Sequence, residues 1–248
     1  MRSPRQDENT IQCVLTNTEL LLAPYNDDIH ADMTPERYHK IRHILEQRQP
    51  DLTLVTDQVE KGRNIAAMRR TCDAFAVGEM HAIVTEGYQP RRHAGITAGT
   101  HKRVKLNHHR SISEPAAALK TRGIKLVAAH LCDQAIDYAQ YDFTQPTAIV
   151  MGSELFGVCE ESMQEVDSYI YIPMRGLVES LNVSVAFALI LSEACRQRQK
   201  AGMFDSPRLS EKEMHRLIFE WGYPKLTPYY RGKGLPYPAL DGNGQIID

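Results

Sequence analysis

The 248-residue chain is poor in the features that usually advertise chemistry. It has five cysteines, at positions 13, 72, 132, 159 and 195, and no two form a CxxC pair. An odd, scattered set excludes a disulfide framework and implies reduced thiols in the cytosol. None of the ten histidines falls in HExxH or in zinc-finger spacing with cysteine, so no metal is expected. No GxGxxG follows a strand. The glycines of Gly152-Ser153-Glu154-Leu155-Phe156-Gly157 lack the Lys-Ser/Thr pair that completes a phosphate loop, and there is no GxSxG elbow. No apolar run approaches the ~20 residues of a membrane span, and MRSPRQDENTIQ has no apolar stretch of the signal-peptide kind. A cytoplasmic protein without a membrane partner is the expectation.

Hydrophobic residues make up 42% of the chain, enough for one α/β domain with extensions. Strand-like apolar runs occur at 52–59, 80–84, 125–131, 147–152 and 169–173. Helical patterns lie between or after them at 64–76, 111–122, roughly 158–166 and 182–200. This alternation predicts a buried, mostly parallel sheet flanked by helices. Thr34 and Pro35 mark the start of an N-terminal helix that Pro50 ends. A further amphipathic helix at 210–219 precedes a loop rich in Gly, Pro and Tyr. The organisation read from this is an appendage at 1–33, a helical extension at 34–50, an α/β domain at 51–200 and a C-terminal extension at 201–248.

The net charge of −2 hides an uneven distribution. Residues 88–125 hold nine Lys/Arg, among them Arg91, Arg92, Lys102, Arg103 and Arg110, against Glu114 alone. Residues 194–234 are basic again, nine against four. Two such clusters in one nearly neutral chain suggest a polyanion partner, because each phosphate contact releases counterions; a solvated surface is the alternative. Tyr229, Tyr230 and Tyr237 can stack on bases or simply pack.

Three polar clusters sit where strands hand over to loops or helices. They are Gly62-Arg63-Asn64 with Arg69 and Arg70, then Gly152-Ser153-Glu154 with Gly157, then Pro173-Met174-Arg175-Gly176 followed by Ser180-Leu181-Asn182. Ligands of open parallel sheets bind at the carboxyl ends of strands, so three such ends can form one pocket. Each cluster also has a plainer reading: Asn64 and Asn182 as helix caps, Glu154 as a surface carboxylate, the glycines as turns.

NIAAMRRTCDA, IVMGSELFG and IYIPMRGLVESLNVSVAFAL resemble the three consecutive motifs of the SPOUT methyltransferases. RQRQKAGMF, LIFEWGYP and RGKGLPYP are similar to the C-terminal region of those members that methylate the 2′-hydroxyl of guanosine 18 in tRNA. The resemblance implies a SPOUT fold with a deep C-terminal trefoil knot, S-adenosyl-L-methionine (AdoMet) as cofactor, tRNA as partner and a homodimer. It places Arg70 beside the 2′-hydroxyl, either taking part in proton transfer with help from an RNA phosphate or staying charged to stabilise the alkoxide. It sets Asn64, Ser180 and Asn182 around the reaction centre, with Glu154 pairing with an arginine or pinning the knot loop rather than acting as base. It assigns Ala129, Gly152, Gly157, Ile172, Met174 and Leu181 to the AdoMet pocket, the glycines letting backbone pass close to the ligand. Arg69, turned about 100° from Arg70 on a helix, is the weaker catalytic candidate. An rRNA 2′-O-methyltransferase, or a non-catalytic RNA-binding protein on the same scaffold, is the alternative.

Overall fold

The computed structural model describes residues 33–85, 100–154 and 156–247. Seven strands form one sheet in which every pairing is parallel: β1 (Leu52–Asp57), β2 (Glu79–Ile83), β3 (Lys105–His109), β4 (Lys125–Ala129), β5 (Ile136–Asp137), β6 (Thr147–Met151) and β7 (Ser168–Tyr171). Their order is β3-β2-β1-β6-β4-β7-β5. The central strands β1 and β6 are buried at every residue, which is why they read as unbroken apolar runs rather than alternations.

Alternate residues of these strands feed two cores. On one face Leu52, Leu54, Met80 and Ile149 meet α2 (Gly62–Ala74) and α6 (Val183–Lys200) through Met68, Phe187 and Leu191. On the other, Val55, Leu126 and Val150 meet α4 (Ser113–Thr121) through Ala116 and Leu119, and Met163 of α5 (Glu160–Glu165). The expected helices are all present, within a few residues of their predicted ends. A short helix α3 (Thr100–Arg103) leads into β3.

The N-terminal helix α1 (Pro35–Glu46) starts as its sequence implies: Thr34 Oγ1 accepts the Arg37 amide at 3.2 Å and Pro35 sits in the first turn. It packs on α7 (Glu211–Gly222), and Tyr38, Ile41, Leu45, Ile218 and Trp221 build a third core. α7 opens with a full capping box between Ser210 and Glu213. One expectation needs correction here. Part of the Gly/Pro/Tyr-rich segment is a helix, α8 (Thr227–Lys233), with Pro228 in its first turn; Tyr230 and Tyr237 pack around Phe219, with centroids at 5.4 and 4.5 Å. The charged end of α6 is itself anchored in the interior. Arg198 is fully buried and donates to Phe143 O, Gln145 O, Gln49 Oε1 and Asp51 Oδ1. Arg208 grips the same Asp51 with bonds of 2.7 and 2.8 Å.

Candidate active site

Because the sheet is parallel, the loops after β1, β4, β6 and β7 emerge at one end, where ligands of such sheets bind. The loop after β1 enters α2, and Asn64 lies in the first turn of that helix. Asn64 does not cap it: the N-cap is Lys61, with no side-chain capping bond. Instead Asn64 is buried, and its Nδ2 donates to Glu154 Oε1. Its Oδ1 accepts from Asn182 Nδ2 at 3.4 Å. Lys61 Nζ approaches Glu154 Oε1 to 3.6 Å. Asn182 does cap α6, its Oδ1 accepting the Ser184 amide at 3.0 Å and the Ser184 hydroxyl at 2.6 Å. One hydrogen-bonded chain thus joins three loops far apart in sequence. Glu154 is not a surface carboxylate, and the capping role of Asn182 coexists with its place in the cluster.

Glu154 is carried by a tight turn in which the Ser153 and Gly157 backbones exchange two 2.9 Å bonds. Gly157 holds φ +68°, the left-handed region glycine enters freely. A Cβ on Gly152 would lie 2.0 Å from Gly157 C and 2.2 Å from Val158 N. Gly152 therefore lets the turn's own backbone fold back across it, a reason different from close approach to a ligand.

The residues expected to hold AdoMet lie at or after the neighbouring strand ends. Ala129 ends β4 and Ile172 follows β7, both packed on the α2/α6 core. Met174 and Leu181 are half-buried in an irregular segment, 172–182. Apolar side chains flanking irregular backbone at converging strand ends suit a nucleoside, with its flat faces and hydrogen-bonding edges. Ser180 and Arg70 are exposed at the rim, and no hydrogen bond among the described residues joins either to the Asn64 cluster. Arg69 is occupied: it donates to Val104 O and to His101 O at 2.8 Å, which fits its weaker candidacy.

The basic residues do not form one patch. Arg110 follows β3 at the same end as the Asn64 cluster, whereas Lys102 and Arg103 precede β3 at the opposite end. There Arg103 pairs with Asp73 at 2.9 Å. With Arg48, Arg216, Arg231 and Trp221 these two line a cleft of about 580 Å³. Arg91 and Arg92 lie outside the described residues, as does the appendage up to residue 32. At Cys72 and Cys195 burial disfavours thiolate chemistry, pushing the Cys72 thiol well up and that of Cys195 to about 11.

Residues 51–192 match the SpoU rRNA methylase family and residues 196–248 its C-terminal region. The chain belongs to the SpoU methylase family. A tRNA (guanosine(18)-2'-O)-methyltransferase of Escherichia coli K12 is 47% identical over 216 residues, covering 86% of this chain and 94% of that one. The enzyme of that name from Thermus thermophilus is 43% identical over 190 residues, covering 77% and 97%. The crystal structure of the A. aeolicus TrmH/SpoU tRNA modifying enzyme superposes with a TM-score of 0.72 at 38% identity, over 77% of this chain and 97% of that one. The SpoU methyltransferase AviRb from Streptomyces viridochromogenes, solved in complex with AdoMet, gives a TM-score of 0.55 at 26% identity and covers 62% of each chain. The SpoU assignment agrees with the parallel sheet and with the three motifs read from the sequence. One residue at this end carries no motif and escapes sequence reasoning: Asp57, the fully buried last residue of β1. A carboxylate ending a fully buried strand whose other residues are Leu, Val and Thr is its only signal.

Proposed function

We propose that the chain transfers a methyl group from AdoMet to the ribose 2′-hydroxyl of guanosine 18 in tRNA. The observation that carries this is the Glu154–Asn64–Asn182 chain, which ties all three motifs into one site in a protein 47% identical to an enzyme of that name. AdoMet, when bound, supplies an electrophilic methyl on a sulfonium. Ala129, Ile172, Met174 and Leu181 are assigned to hold it, and the segment from 152 to 182 to close the trefoil knot. Asn64 and Glu154 form the floor on which the ribose is oriented; holding reactants in line contributes about 7–11 kcal/mol. Arg70, exposed above that floor, is assigned to the 2′-hydroxyl. A guanidinium gives up its proton only above pH ~12, so its direct contribution is stabilisation of the developing alkoxide, the hydroxyl proton passing to a neighbouring RNA phosphate or to solvent.

Arg110 and the cleft around Lys102 and Arg103 are assigned to the RNA backbone, gripping it at both ends of the sheet, together with Arg91 and Arg92. A homodimer completes the assembly: Leu177, Val178, Val185 and Leu189 leave an exposed apolar band across the 172–182 segment and α6. A tRNA substrate places the enzyme in the cytoplasm. No helix among the described residues is long and apolar enough to cross a membrane.

The test is transfer of labelled methyl from AdoMet to bulk tRNA and rRNA, followed by mapping of the modified nucleotide. Label at guanosine 18 is the expected result. Label confined to rRNA would select the rRNA alternative, and no label on either RNA would leave the non-catalytic one. Sedimentation at micromolar concentration should show a particle of twice the 28.1 kDa chain mass; a monomer throughout would refute the dimer.

A further inference from the structure

Asp57 Oδ2 accepts the Cys159 amide at 2.7 Å. Cys159 ends the turn that carries Glu154, while Asp57 opens the loop that leads into α2 and Asn64. One carboxylate therefore clamps together the two loops whose side chains meet at the reaction centre. Val158 anchors the same segment in the core beside Val55 and Val150, and the Asp57 bond fixes its backbone next to that anchor. A cavity of about 450 Å³ opens beside it, lined by Thr85, Arg110, Glu161 and Ser162 as well as Asp57 and Cys159. Asp57 Oδ1 has no hydrogen-bond partner among the described residues. Burying a carboxylate that is only partly bonded costs stability, whereas a valine would end the strand at no such cost.

We propose that Asp57 is a positioning residue for methyl transfer: its bond to the Cys159 amide sets the turn at the height where Glu154 meets Asn64. This rests on the proposed methyltransferase reading. Asp57 touches neither AdoMet nor RNA in this role; it acts through the turn as a whole, whose Glu154 faces the ribose and whose Gly152 and Gly157 are assigned to the AdoMet pocket.

Two variants remove the bond from opposite sides. Asp57→Ala deletes the acceptor. Cys159→Pro deletes the donor, at a residue whose φ of −72° proline accepts. Asp57→Asn keeps an acceptor oxygen of the same reach. Titration calorimetry with AdoMet, single-turnover methylation of tRNA and filter binding of tRNA are run on all three, with Ile41→Ala, in the α1/α7 core, as a control for lost stability alone. Asp57→Ala and Cys159→Pro should each weaken AdoMet binding and slow transfer roughly tenfold or more, the effect of losing a charged hydrogen bond. Their tRNA affinity should match the parent's, and Asp57→Asn should restore most of the loss. Parent-like AdoMet affinity and rate in both Asp57→Ala and Cys159→Pro would overturn the proposal, as would an Asp57→Asn variant as impaired as Asp57→Ala. A parent chain that binds AdoMet but methylates no RNA would refute the proposed function. The calorimetric contrast between Asp57→Ala and Asp57→Asn would still support the positioning role.

Discussion

Replacing Gly152 with alanine adds one methyl group where no space exists. The new Cβ would sit 2.0 Å from Gly157 C, 2.2 Å from Val158 N and 2.3 Å from Gly157 O. All three neighbours are backbone atoms, so no side chain can rotate away. Real Cβ contacts under 3.0 Å essentially do not occur, and the two arms of the turn must therefore part by about 1 Å. That separation stretches the paired 2.9 Å bonds between Ser153 and Gly157 and lifts Glu154 from Asn64. Overpacking of this kind costs about 1–3 kcal/mol, or roughly 2–12 °C in Tm for a chain of this size. Function should suffer more than stability, since a misplacement of about 1 Å at a reacting centre can cost about a hundredfold in rate. Gly157→Ala is the informative comparison. Its nearest neighbour would be His130 Nδ1 at 3.8 Å, so its cost is confined to the left-handed φ of +68°, about 1–2 kcal/mol. Circular dichroism melts, AdoMet calorimetry and single-turnover methylation on both variants test this. Parent-like AdoMet affinity and rate in Gly152→Ala would refute the geometric reasoning.

Arg70→Ala should reduce methyl transfer by at least a hundredfold, the loss expected when one stabilising group is removed from a developing oxyanion, with AdoMet affinity unchanged by calorimetry. Arg70→Lys should recover part of the rate, and equal rates for Arg70→Ala and the parent would remove Arg70 from the chemistry. Arg198→Ala should destabilise the fold by about 3–5 kcal/mol in urea titrations, because it leaves the Phe143 and Gln145 carbonyls without this donor and Asp51 and Gln49 with Arg208 alone; a loss under about 1 kcal/mol would contradict the network. Burial pulls the Asp51 pKa upward, but bonds from Arg208 and Arg198 outweigh this and hold it below the ordinary value. Its contribution is therefore complete above the unfolded carboxylate's pKa of about 3.9 and is lost as pH falls through the lower folded value. The melting gap between the parent and Asp51→Asn should stay constant from pH 7 to about pH 4 and narrow only below that. Narrowing between pH 7 and 5 would reverse the sign of the shift.

Where burial is complete, the sequence speaks clearly. LTLVTD and TAIVM are continuous because both faces of β1 and β6 are covered, and Thr34 and Ser210 announce their helices by chemistry that is entirely local. β3 is not legible because it is an edge strand of polar residues, KLNHH, held by pairing with β2 on one side only. α8 is hidden among glycines, prolines and tyrosines, and its aromatics find their partner, Phe219, in another helix. Of the site, the residue types at the strand ends are legible, but their pairing is not. Nothing local says that Asn64 turns to Glu154 and Asn182 rather than capping α2, since those contacts span 90 and 118 residues. Asp57 is invisible for the same reason: its meaning lies in an amide 102 residues away.

The two arginines on Asp51 bear on modularity. The match to the C-terminal region of the family begins at residue 196, yet Arg198 and Arg208, both beyond that point, neutralise a carboxylate at the start of the central strand. A chain ended between 192 and 196 would bury Asp51 beside no cation and lose the last turn of α6. The C-terminal region is not an independent unit joined by a tether. It shares its charge balance with the sheet, so exchanging it between relatives should succeed only when Asp51 and both arginines travel together.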